Sequence, residues 1–207
     1  MRQIIALAVT GMLALAGGAQ AQAPTNPATP EQLVDALEGM FGRNAGLRRA
    51  HPKGFCVEGE WTSTGDGAAL TTAATLAPGT RVPVLGRFSL AGGNPRAPDN
   101  VDNVRGLAMR LELPGNETHD FVVISAPIFG VRTPEQFRAN LLARRPVPAP
   151  RQPDQARNPA IVAANPEVTR QAAWIRANPP SDSYASAPYF GVHTFLLTNA
   201  AGQSRPA

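Results

Sequence analysis

Three short runs carry the residue types that could do chemistry: Arg48-Arg49-Ala50-His51-Pro52-Lys53-Gly54, Arg87-Phe88-Ser89 and Arg105-Gly106. A histidine can take and return a proton near neutral pH, because its ordinary pKa is about 6.5. Arginine forks match carboxylates, so Arg48 and Arg87 suit a ligand with an acidic edge. By itself a lone histidine reads first as a packed core or surface residue; a proton-shuttling imidazole beside a site for an anionic group is the alternative these runs leave open.

The elements that must position these residues follow along the chain. Thr29-Pro30-Glu31-Gln32 reads as a capping box with proline at the first helical position. Leu33, Val34, Leu37, Met40 and Phe41 then share one helical face, and Gly42 and Gly46 end the helix. Phe55, Val57 and Trp61 alternate with polar residues, residues 81–90 are rich in strand formers, and Leu107, Met109, Leu111 and Leu113 alternate cleanly. Residues 121–124 predict a short apolar strand. Thr133-Pro134-Glu135-Gln136 predicts a second capping box ahead of Phe137, Leu141 and Leu142. A Pro-rich connection runs over 145–159. Asn165-Pro166 starts a third helix with Val168, Ala172 and Ile175 on one face, and residues 189–198 read as a last strand, after which a hairpin partner is expected but the chain stops. Strands with helices inserted between them, and no internal repeat, predict an α+β fold.

The amino terminus predicts an address. Met1-Arg2-Gln3, an apolar run over 4–15 and Ala19-Gln20-Ala21 form a signal-peptide pattern with cleavage after Ala21 and export to a periplasm. The run is short for a membrane span, and no later segment is apolar enough for one. The single cysteine, Cys56, rules out an internal disulfide framework and reads as a small buried strand residue. With 19 Lys+Arg against 15 Asp+Glu the chain is basic, yet its arginines are dispersed without interleaved aromatics, which argues against nucleic acid. His51, His119 and His193 are too scattered for a zinc signature, there is no phosphate-binding glycine loop, and no nucleophile elbow surrounds Ser89.

Taken in order, His51-Pro52-Lys53-Gly54, Arg87-Phe88-Ser89, Asp102 to Ala108, Asp120-Phe121-Val122, Pro127-Ile128-Phe129, Phe137 and Gly191-Val192-His193-Thr194-Phe195 resemble the catalase family, and most closely its exported catalase-related peroxidases. The resemblance implies a catalase-type antiparallel β-barrel with inserted helices, of which only the N-terminal half of the core is present. With the signal-peptide pattern, this divides the chain into a signal peptide (1–21), a tether and helix (22–46) and a partial catalase core (47–207). It implies heme b as cofactor, with His51 and Ser89 catalytic on the distal side, Arg48 and Arg87 on the propionates, and Phe137 packed on the porphyrin. Arg105 lies in a matched motif, with a structural ion pair as an equal reading. The family's iron ligand is a tyrosinate downstream of the last matched strand. Tyr184 and Tyr189 do not match its motif, so no metal ligand is expected in this chain. Where the family carries an asparagine that meets peroxide, this chain has Ile124. The expected activity is heme-dependent reduction of hydrogen peroxide or organic peroxides, with weak or no catalase activity. Its partners would be the peroxide and a small-molecule reductant, with no nucleic acid, no membrane, and homo-oligomers left open. The alternative is a catalytically inactive remnant or heme-binding fragment.

Overall fold

The computed structural model describes residues 27–146 and 157–207; the signal-peptide and tether expectations before residue 27 lie outside the described residues. Four strands form one antiparallel sheet in chain order: β1 (Gly54–Thr62), β2 (Arg81–Leu90), β3 (Arg105–Leu113) and β4 (Glu117–Ile124). The alternation in β3 sets its register, because a one-residue slip would turn Leu111 outward; instead Leu111 is fully buried. Pro83 pairs only with Glu60 of β1, since the β2–β3 ladder begins at Val84, so no β3 bond is lost to its missing N–H.

Paired residues share a sheet face. One face carries Phe55, Phe88, Leu107 and Val123 in a row, followed by the Met109 row and then the Leu111 row. Its far end is covered by the 3-10 turn Ala74–Leu76, where Trp61 Nε1 donates to the Thr75 carbonyl at 2.8 Å and the fully buried Thr75 hydroxyl meets His119 Nδ1 at 2.8 Å. Its near end holds Tyr184 and Tyr189 against Phe88, with ring centroids at 6.0 and 6.1 Å. The opposite face carries Gly54, Ser89, Gly106 and Ile124 in its top row.

Two helices close over that top row. The helix α1 (Pro30–Phe41) starts with the full capping box, Thr29 Oγ1 accepting from Gln32 N at 3.3 Å and Gln32 Oε1 from Thr29 N at 3.2 Å. The helix α2 (Pro134–Arg144) is capped by Thr133, but not by a reciprocal box. Gln136 Oε1 accepts from Arg132 N, and Gln136 Nε2 donates to Asn165 at 2.7 Å and Glu167 at 3.1 Å, so that side chain ties α2 to the later segment instead. The two helix starts are stitched by Ala28 N donating to Glu135 at 2.8 Å. Buried Ala36, Leu90, Val104, Ala126 and Leu141 form the core at this end.

Several expectations are corrected. The strand at 121–124 begins earlier, at Glu117, because Thr118 and His119 continue the ladder opposite β3. The Pro-rich connection contains a helix, α3 (Arg157–Ala164), and its part over 147–156 lies outside the described residues. The third helix is divided: a 3-10 turn over Pro166–Thr169 leads into α4 (Arg170–Ala177). The expected strand over 189–198 is a single bridge from Phe190 to Ile124 and then β5 (Leu196–Thr198). Its hairpin partner is present as β6 (Ser204–Pro206), with Gly202 at a φ of 75° making the turn. Cys56 is exposed, because β1 is an edge strand and the residue lies beside Arg87 on its open face. The four-stranded sheet is not closed into a barrel. Among the described residues no helix is long and apolar enough to cross a membrane.

Candidate active site

His51 stands just before β1 with φ at 53°, a left-handed conformation that costs a non-glycine residue energy. Three contacts hold it there. Its N–H donates to the Gly92 carbonyl at 2.7 Å, its own carbonyl accepts from Arg87 at 2.9 Å, and its ring Nδ1 lies 3.0 Å from Ser89 Oγ. Arg49 braces the preceding loop by donating to the Leu47 carbonyl at 2.8 Å and pairing with the Glu38 carboxylate. Ser89 is buried, so the serine that the resemblance marks as catalytic faces the histidine and not solvent.

Two glycines make room for this arrangement. At Gly54 a Cβ would fall 2.7 Å from the Arg87 guanidinium and 2.3 Å from the Phe88 carbonyl. At Gly106 it would fall 2.7 Å from Ser89 Oγ. Neither glycine stood out as functional in the sequence; the available signal was glycine inside a strand pattern, which marks close approach.

His51 opens onto a cavity of about 320 Å³. Its walls combine Ile124, Phe129 and Phe137 with Leu37, Met40 and Phe41 of α1. The predicted porphyrin contact Phe137 is thus brought beside His51. Helical periodicity marks the α1 residues only as a packing face; their share in this cavity depends on how the helix packs on the sheet.

The electrostatics are one-sided. Burial lowers the pKa of His51 from 6.5, and the charges of Arg87 and Arg48 lower it further. The imidazole is therefore neutral at neutral pH and ready to accept a proton. Arg87 has its own pKa lowered by burial and then by Arg48. Arg48 is exposed. Among the described residues neither arginine has a carboxylate partner within ion-pair distance. Two neighbouring guanidiniums beside a neutral histidine fit a ligand with two carboxylates, and the apolar cavity with Phe137 fits a flat apolar body. The residues present therefore fit one face of heme.

Arg105 does not join this site. Buried in the sheet, it donates to the Ser181 carbonyl at 2.8 Å and the Asp99 carbonyl at 3.3 Å, and its guanidinium lies 4.6 Å over the Tyr184 ring. It is structural, through carbonyls and a ring in place of the ion pair anticipated. Tyr184 donates to Asp99 at 2.9 Å, and Tyr189 donates to the Tyr184 carbonyl at 2.9 Å. Burial, then Asp99, pushes the Tyr184 phenol up to about 12, so it stays protonated. Both tyrosines pack with Phe88 on the face turned away from His51.

A sequence model of the family described as Catalase matches residues 31–205. The chain is 40% identical over 201 residues to a catalase-related peroxidase of Synechococcus elongatus, covering 97% of this chain and 59% of that protein. It is 36% identical over 177 residues to a catalase-related peroxidase of Mycolicibacterium paratuberculosis, covering 86% of this chain and 55% of that one. A solved structure of a bacterial catalase superposes with a TM-score of 0.67 at 25% identity, covering 93% of this chain and 37% of the other. The chain therefore belongs to the catalase family. It spans between half and two thirds of the length of these curated relatives.

Proposed function

We propose that this chain carries the proton-handling side of a heme-dependent peroxidase that reduces hydrogen peroxide or organic peroxides and releases little dioxygen. The observation that carries the reading is the His51 ring, neutral and fixed by Ser89 at Nδ1, at the wall of an apolar cavity. With Nδ1 committed, Nε2 is the nitrogen left for substrate.

Bound heme would supply the redox-active iron that accepts the oxidising equivalents of the O–O bond. Arg48 and Arg87 would pair with its propionates, and Phe137 would lie along its ring. His51 Nε2 takes the proton of the incoming peroxide and hands it to the departing oxygen, which leaves as water or an alcohol. Ser89 keeps the ring angle constant through both transfers. A small-molecule reductant would supply two electrons, which with two protons would release the remaining peroxide oxygen as water. Ile124 supports the peroxidase reading because it offers peroxide no hydrogen bond and makes that part of the cavity wall apolar, which suits an organic peroxide. The signal-peptide pattern supports export to the periplasm.

The experiment is a titration of the purified chain with heme b, followed in the visible, with dye oxidation and dioxygen release as activity readouts. A Soret band, peroxide-dependent dye oxidation and little dioxygen are expected. Vigorous dioxygen release would overturn the preference for peroxidase chemistry. A chain that stays colourless would favour an inactive remnant, a reading supported by the engagement of Tyr184 and Tyr189 away from His51.

A further inference from the structure

Gly106 lies opposite Ser89 in the β2–β3 ladder and opposite Ile124 in the β3–β4 ladder. Its backbone is not among the left-handed glycines, so an L-residue could adopt its conformation. Glycine in a strand interior is otherwise unfavourable, because it adds entropy to the unfolded chain and packs nothing. The reason for it lies in what a side chain would strike. A Cβ there would lie 2.7 Å from Ser89 Oγ, 3.3 Å from His51 Nδ1 and 3.4 Å from His51 Cε1. Ser89 is 6% exposed and has a one-carbon side chain. It can escape such a contact only by rotating about χ1, which takes Oγ away from the ring.

We propose that Gly106 is a positioning residue for His51: its missing side chain is the floor on which the imidazole rests and the space in which Ser89 reaches Nδ1. The catalytic meaning of this role rests on the peroxidase reading; the positioning itself does not.

The test compares Gly106→Ala with Gly59→Ala, a strand position in β1 where a Cβ would meet nothing within 4 Å. The first readout is the His51 ring in the heme-free chain, followed by nitrogen NMR for tautomer and titration midpoint. Gly59→Ala should leave both unchanged. Gly106→Ala should shift the Nδ1 resonance and the tautomer balance, and change the titration midpoint, because Ser89 Oγ no longer reaches the ring. In a Ser89→Ala background the same substitution should have a smaller effect, because the closest obstacle is gone. The second readout is peroxide cleavage by heme-loaded protein, expected to slow at least about tenfold in Gly106→Ala at unchanged heme affinity. An unaltered His51 titration in Gly106→Ala would overturn the proposal. So would a Gly106→Ala chain that fails to fold while Gly59→Ala folds, since Gly106 would then be a packing residue. Failure of the peroxidase reading would show separately, as no cleavage by the unsubstituted chain, with the ring titration still deciding the role of Gly106.

Discussion

The proposed chemistry turns on His51, and the environment of that residue makes definite demands. Replacing it with alanine in heme-loaded chain should slow peroxide cleavage by roughly 10²–10⁴-fold, the usual worth of a positioned acid–base group, as measured by stopped flow. Because burial, Arg87 and Arg48 all hold its pKa below 6.5, the neutral form persists through neutral pH. The rate should therefore decline only as pH falls below 6.5, and Arg87→Ala should move that limb upward. The same shift has a consequence for stability. Between the folded midpoint and 6.5 the unfolded chain binds a proton that the folded chain does not. The contribution of the neutral ring is thus complete above 6.5 and is lost as pH falls through the folded midpoint. Urea midpoints measured down that window should fall, and less so in His51→Gln. At Ile124, substitution by asparagine restores a donor in the cavity wall; dioxygen release from hydrogen peroxide should rise relative to dye oxidation.

Among the elements, α1 is closer to the function than its position suggests. It packs on α2 and lends Leu37, Met40 and Phe41 to the cavity facing His51. Its start depends on Thr29, whose hydroxyl and backbone N–H both exchange bonds with Gln32. Thr29→Ala should cost about 1 kcal/mol by urea denaturation, since it leaves an orphan N–H at the helix start. Sheet order matters in a different way. Ser89 meets His51 only because β2 lies between β1 and β3, so that Gly54 and Gly106 flank it on either side. Gly92, at φ 94°, turns the chain after β2 and presents the carbonyl that holds His51 N–H. These are backbone features, and they tolerate surface substitutions well away from the top row.

For the whole molecule, stability should come from the few buried apolar side chains and not from surface ion pairs. Leu111 is fully buried beneath the 74–76 turn. Leu111→Ala should lower stability by about 2–5 kcal/mol, the range for deleting a buried leucine and leaving a cavity. Arg110 and Asp120, one strand apart and exposed, form an ion pair at 2.7 Å. Arg110→Ala should leave the thermal midpoint unchanged within error, because water and salt screen such a pair. A denaturation series on both variants separates the two contributions. The open sheet also leaves apolar residues in contact with water: Phe55 and Val57 on one face, Val122 on the other.

The sequence by itself determined the strand alternation, both threonine helix starts, and the candidate set of His51, Ser89, Arg48, Arg87 and Phe137, because those signals are local in spacing or carried by family motifs. It could not show that Ser89 points inward, that Gly54 and Gly106 clear the space around it, or that α1 walls the cavity. Each of those facts depends on sheet register and helix packing between residues far apart in the chain. Cys56 illustrates the same limit: its apolar neighbours mark a strand but not which strand is the edge. Tertiary structure alone decided where Arg105 and the two tyrosines belong, since Arg105 could reach a cofactor or a carbonyl with equal chemistry. What placed it was the Ser181 carbonyl, 76 residues away.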